Sequence, residues 1–336
     1  MKFGPVPVTD AEGCILAHAT DSAPEDLAPQ QMSRMIPKGT VLTATHLADI
    51  AREGIDQLQV ARLEDGDVAE DDAAQLLAQA LSAGRTGLRA TSPVGGRVNL
   101  VAEAAGLALL DAAAIHRVNS VSPAITVATV LPYKKMGAGG LVATIKIIPF
   151  AVAGPDLARA CDAATAAIGM AQGQFTSATL IETRVGRDAP SDKGRRALAA
   201  RVRHFGMMLT DRCVVPHEEA SVADALAQAE GEVLFILTAT ATSDIRDTAP
   251  QAVRQAGGEV IHYGMPVDPG NLLFLGRLGD KPVIGLPGCA RSPAINGADW
   301  VLERIICGVP IEPEDIMGMG VGGLLKEIPE RGRPRE

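Results

Sequence analysis

The chain has 336 residues, 31 Lys and Arg against 40 Asp and Glu for a formal net charge of −9, and 47% hydrophobic against 21% charged residues. That length predicts two domains, and that hydrophobicity excludes a disordered chain. An acidic chain with only 6 Phe, 2 Tyr and 1 Trp lacks the basic footprint and stacking platforms of a nucleic-acid binder.

In chain order, residues 36–42 read as a turn entering a strand, 43–53 as a helix ended by Gly54, and 58–61 as an alternating strand. An Ala/Leu-rich helix follows over 70–82, ended by Gly84. Strand signals recur at 97–100, 125–131 and 141–149, with a helix at 111–119. Pro155 opens a helix predicted to run to 171, and Gly173-Gln174 marks a boundary. Beyond it, strands at 178–184, 207–215, 232–238 and 259–263 alternate with helices at 193–205, 220–230 and 248–256. A hairpin, 272–278 with 282–286, and a helix at 293–307 close the series. Strand–helix alternation at this spacing predicts a three-layer α/β/α domain with a mostly parallel sheet over 173–312. It is preceded by an N-terminal α+β region, 1–172, divisible at 87/88. A loose tail is predicted over 313–336.

The five cysteines are scattered and form no CxxC pair, which argues for a reducing compartment and against a zinc knuckle. The N-terminus shows no apolar signal core, and no apolar run approaches about 18 residues. The expectation is a cytoplasmic protein without a membrane partner. No Gly-Lys dipeptide is present, so there is no P-loop. His217-Glu218-Glu219-Ala220-Ser221 starts like a zinc-protease helix but has Ser where the second His belongs.

Three strand–loop–helix junctions carry the chemistry. In an open α/β sheet, ligands bind against the carboxyl ends of strands and the helix starts that follow. The first junction is Ser191-Asp192-Lys193-Gly194-Arg195-Arg196, cations clustered at a helix start. The second runs from Thr238 through Thr240, Thr242, Asp244, Arg246 and Asp247, small and hydroxyl side chains ending on an acid. Asp247 reads as a helix N-cap or as a group holding a cation or a pterin ring nitrogen; as a cap alone, Asn would serve equally well. The third is Pro287-Gly288-Cys289-Ala290-Arg291-Ser292, a tight turn with a guanidinium able to reach anions. In the N-terminal half, Arg97, Asn99, Lys134, Lys135 and Lys146 are weaker anion candidates.

Residues 238–252 align without a gap to the TGGTGxxxRDxTPEA signature of the molybdopterin adenylyltransferases of molybdenum cofactor synthesis, matching at Thr238, Arg246, Asp247, Pro250 and Ala252. Asp192-Lys193-Gly194 resembles that family's DKS/DKG helix start, and Leu286-Pro287-Gly288 with Ser292 resembles its LPGxPxS loop. Pro269-Gly270-Asn271 is similar to the PGKP turn of the related molybdopterin molybdotransferases. The resemblance covers about 175–310. It implies a molybdopterin or molybdenum-cofactor ligand contacted by Asp192, Lys193, Gly194, Thr238, Thr240, Thr242, Asp244, Arg246, Pro287, Gly288, Arg291 and Ser292. A transferase would add a nucleotide and Mg2+, with Asp247 as metal ligand and Asp247 and Glu218 as catalytic acids. The departures are specific. The paired glycines are Ala239 and Thr240, the next glycine is Thr242, and the acid of the Pro-Asp-Asp/Glu turn falls at His217. Glu218 replaces it only by a one-residue shift. Two versions therefore stand: a nucleotidyl- or molybdotransferase, or a carrier that has kept the fold and lost the chemistry, with the departures favouring the second. Partners would be other cofactor-synthesis proteins or a molybdoenzyme, and self-association is left open. A nucleotide-hydrolysing enzyme on the same scaffold is the alternative.

Overall fold

The computed structural model describes residues 1–23 and 34–325. Two compact units emerge. One holds Met1–Glu103, Ala108–Pro132 and Ala138–Met170; the other holds Ala104–Leu107, Tyr133–Gly137 and everything from Ala171.

The first unit is α+β. Lys2–Pro7 and Ile15–Leu16 pair antiparallel with Gln57–Arg62, and their apolar side chains meet the helix Ala44–Arg52 in a core of Leu16, Leu42, Ile50 and Val60. Thr43 caps that helix. A four-stranded antiparallel sheet runs in the order Ile125–Thr129, Leu141–Ile147, Arg97–Ala102, Leu88–Ala90. Its alternate residues Val98, Leu100, Ile125, Ile145 and Ile147 are fully buried, as a one-sided antiparallel sheet requires. The helix predicted over 155–171 is shorter, Gly154–Ala164, and Ile168–Gln172 is a strand. Ala166 takes φ +57°, which no helix continues through. The Ala-rich composition masked that break.

The second unit carries the predicted three-layer domain. We label its elements β1 (Ser177–Arg184), α1 (Lys193–Arg203), β2 (Met208–Leu209), β3 (Cys213–Pro216), α2 (Glu219–Ala227), β4 (Val233–Leu237), α3 (Thr248–Gln255), β5 (Glu259–Tyr263), β6 (Phe274–Leu278), β7 (Lys281–Gly285), α4 (Gly297–Ile306) and α5 (Pro313–Met317). The sheet order is β2-β1-β4-β7-β6-β5, with β3 pairing β1 beyond β2. All pairings are parallel except those of β6, whose two neighbours run antiparallel to it. All five residues of β4 are buried, because each face of this strand is covered. On one face Leu180, Phe235 and Ile284 pack with Leu198 and Val202 of α1 and Val301, Leu302 and Ile306 of α4. On the other, Ile181, Leu234, Ile236 and Val283 pack with Val222 and Leu226 of α2 and Ala252 and Val253 of α3. Each fully buried Leu or Ile contributes roughly 1.5–3 kcal/mol to this arrangement. Gly285 faces Phe274 across the β6–β7 pair, and a Cβ there would strike the Phe274 ring.

The strand predicted over 207–215 is split at Thr210-Asp211-Arg212, where the Thr210 hydroxyl meets Thr179 and Arg212 turns to Glu182. The closing helix starts at Gly297 rather than 293. Asn296 caps it and forms a capping box with Asp299, while Gly288–Arg291 is a 3-10 turn. The segment from 313, predicted as loose, begins with the helix α5, and Ile316 and Met319 lie in the core beside α4. Residues 326–336 of that tail fall outside the described residues. Among the described residues no helix is long and apolar enough to cross a membrane.

Candidate functional site

Because β1, β3, β4 and β7 run parallel, their carboxyl ends lie at one edge of the sheet. The loops 185–192, 217–218, 238–247 and 286–296 leave from that edge, and specific contacts tie them together. Gly194, in the first turn of α1, sits against β4 and the third loop. A Cβ there would stand 2.6 Å from Leu237 Cδ2 and 3.3 Å from Arg291 Cγ. The Arg291 guanidinium donates through Nη2 to the Thr238 carbonyl at 2.6 Å, bridging the second and third loops. Lys193 is exposed beside Gly194. Gly194 of the first junction and Arg291 of the third are thus brought together.

The second loop is held from inside by hydroxyls. Thr238 Oγ1 donates to the Thr240 carbonyl at 2.6 Å and lies 3.4 Å from Thr242 Oγ1. Thr238 and Thr242 are buried, and Tyr263 Oη donates to the Thr242 carbonyl at 3.0 Å. Where glycines would let a ligand reach main chain, the threonines here fill the space and stiffen the turn. Thr240, by contrast, is exposed. Its hydroxyl lies 2.9 Å from His217 Nε2, at the end of β3. His217 Nδ1 lies 3.0 Å from Thr183 Oγ1, and Thr183 Oγ1 accepts the Ala239 N–H at 2.7 Å. Thr183 is 0% exposed.

The acids are otherwise engaged. Asp247 caps α3: its Oδ1 accepts from Thr248 N at 2.7 Å and its Oδ2 from Ser243 N at 2.9 Å. Arg246 turns away from it to Asp244, 2.9 Å from Nε to Oδ1, with side chains 80% and 51% exposed. That hydrogen bond holds the Asp244 carboxyl below its usual range. Glu218 is exposed, its nearest partner the Ser221 hydroxyl at 3.5 Å. Asp192 pairs with Arg196 along α1 at 2.7 Å. Pro287 is buried, Gly288 exposed, and Ser292 Oγ accepts from Ala294 N at 3.2 Å. Burial pushes the half-buried Cys289 thiol up.

Among the described residues no group of three His, Cys, Asp or Glu side chains is gathered to hold a metal ion. Asp247 uses each oxygen on main-chain N–H groups, and His217 has both ring nitrogens on hydroxyls.

Two features were not read from the sequence. Glu182, 2% exposed in β1, pairs with Arg212 at 2.8 Å, and Arg212 Nη2 also donates to the Pro190 carbonyl at 2.5 Å, pinning the first loop. Arg201 of α1 donates to Asp299 and to the carbonyls of Ala290, Ser292 and Ala294, pinning the third. The signal for the first was present: Glu182-Thr183 interrupts the apolar end of a strand.

Residues 176–305 match the family described as a probable molybdopterin binding domain. Among solved structures, a molybdopterin biosynthesis MoeA protein from Pyrococcus horikosii is similar over 95% of this chain and 76% of its own, at 13% identity and a TM-score of 0.29. A molybdenum cofactor biosynthesis protein B is similar over 39% of this chain and 88% of its own, at 17% identity and a TM-score of 0.28. No curated protein matches the chain.

Proposed function

We propose that this molybdopterin-binding domain holds a phosphorylated pterin of the molybdopterin type at the carboxyl edge of its sheet and serves cofactor maturation by binding and hand-over, without nucleotidyl transfer. The observation that carries this is the state of His217. It stands where the resembling family has an acid, and both its ring nitrogens are engaged by Thr183 and Thr240. Nucleotidyl transfer needs carboxylates that hold a cation over phosphates. Here the residue at that position organises a loop instead.

In this reading Lys193 and the spare donors of Arg291 supply positive charge to the pterin's phosphate, aided by the main-chain amides at the start of α1. Gly194 lets the start of α1 pack against Leu237 and the stem of Arg291. Thr240 offers a hydroxyl from the second loop. Asp244 and Arg246 form an exposed pair at the rim, which contributes little to stability. Hand-over implies an acceptor, a cofactor-synthesis protein or a molybdoenzyme.

The test is incubation of the purified protein with molybdopterin, Mg2+ and a nucleoside triphosphate. Pterin bound at equilibrium with no nucleotide joined to it supports the reading. Accumulation of a nucleotidylated pterin contradicts it.

A further inference from the structure

The chain of contacts from Ala239 through Thr183 and His217 to Thr240 has a direction, and that direction names the ligand atom the site selects. An amide N–H can only donate, so Ala239 fixes Thr183 Oγ1 as an acceptor at 2.7 Å. Thr183 is 0% exposed, so its single hydroxyl proton needs a protein acceptor, and the atom within reach is His217 Nδ1 at 3.0 Å. Were Nδ1 protonated instead, Thr183 would receive two donors and its own buried proton would have nowhere to go, an arrangement that costs the full desolvation of that group. With Nδ1 accepting, the neutral ring carries its proton on Nε2, which donates to Thr240 Oγ1 at 2.9 Å. The Thr240 hydroxyl proton is then left pointing away from His217, and Thr240 is exposed at the loop surface.

We infer that His217 is a positioning residue whose Nε2–H tautomer turns Thr240 into a fixed outward donor, making this loop selective for an acceptor oxygen such as that of a phosphate. The inference rests on the pterin reading for its ligand but not for its internal hydrogen-bond order. It gives the His at this position a role that an acid could not fill, because a carboxylate accepts from both hydroxyls and would leave Thr240 with no proton to offer.

Two measurements decide it on the full chain. Nitrogen-15 NMR of labelled histidine, with the His217 signal identified by its loss in His217→Gln, is expected to show Nε2 protonated and Nδ1 bare. Any Nδ1-protonated form of His217 overturns the proposal. Binding is then compared for 6-hydroxymethylpterin phosphate and unphosphorylated 6-hydroxymethylpterin. Thr240→Val is expected to weaken the phosphate form about tenfold or more, the loss of one hydrogen bond to a charged acceptor, and to leave the unphosphorylated form unchanged. Thr240→Ser is expected to restore it. Equal affinity of Thr240→Val and the unaltered protein for the phosphate form contradicts the proposal. If neither pterin binds the unaltered protein, the pterin reading falls and the tautomer alone decides the relay.

Discussion

Two loops at the same sheet edge are built in opposite ways. The loop 286–296 is anchored from beneath by Arg201, whose side chain is 9% exposed and which donates to three of the loop's carbonyls and to the buried Asp299. Asn296, 1% exposed, completes the anchor by capping α4. The loop 238–247 is held by hydroxyl and carboxylate contacts, several of them exposed: Thr240 to His217, Arg246 to Asp244, and Asp247 to its own loop. The first loop is set by folding. The second is built of groups that can bind as well as brace. Substitutions of the buried anchors Arg201 and Asn296 should therefore register in stability, and those of Thr240 and Arg291, the groups proposed to meet the ligand, in affinity.

The comparison breaks most visibly at Arg201. Arg201→Met takes from buried Asp299 its ion-pair partner, leaving only the Asn296 N–H, and about 3–5 kcal/mol of stability should be lost in a urea titration. A variant as stable as the parent would mean that the loop is not anchored this way. Thr183→Val should cost less, about 1–3 kcal/mol, by stranding the Ala239 N–H and His217 Nδ1. Its diagnostic feature is loss of order in the second loop with the first unchanged, read by amide hydrogen exchange of 238–247 against 286–296.

Asp247 sharpens the contrast. The sequence leaves it either a cap, for which Asn would be an equal, or a group holding a cation or a pterin ring nitrogen. The structure shows both carboxylate oxygens accepting N–H groups, and Asn has only one oxygen to offer. Asp247→Asn should thus cost about 1 kcal/mol, seen as a lower Tm, where a plain cap exchange would be silent.

The smallest effect is a pH dependence in α4. Glu303 is 4% exposed and 2.5 Å from Lys135 Nζ, and burial outweighs that partner to push its carboxyl up. A carboxyl raised in the folded state favours folding when protonated. Its contribution is full below the unfolded value and declines as pH rises through the folded one. As pH rises above the ordinary Glu value of 4.5, the stability of Glu303→Gln should rise relative to the parent. A difference that stays constant with pH would contradict an upward shift of the Glu303 carboxyl.

The three-layer fold was legible because its signal is local and repeated. β4 is apolar throughout, the helices between strands have clear starts, and glycines close the turns. The first junction was legible through Asp192-Lys193-Gly194, and the third through Pro287-Gly288. What was not legible depends on contacts distant in sequence. Arg201 reads as one more cation on a basic helix, and only the fold sets it under carbonyls about ninety residues away. Arg246 beside Asp247 reads as a pair, yet the turn at 244 hands the guanidinium to Asp244. The break at Ala166 hides in a run of alanines because a single left-handed residue leaves no compositional trace.

The central claim, that the sheet's carboxyl edge holds a phosphorylated pterin, is tested most directly by the pterin content of the protein isolated from molybdenum-replete cells. Bound pterin is released by oxidation, measured by fluorescence, and compared between the parent and Arg291→Ala. Arg291 links two of the loops and carries the charge facing the proposed phosphate. The account predicts near-stoichiometric pterin in the parent and a loss of about tenfold or more in Arg291→Ala at similar Tm. A parent that yields no pterin, or an Arg291→Ala protein that yields as much as the parent, would contradict it.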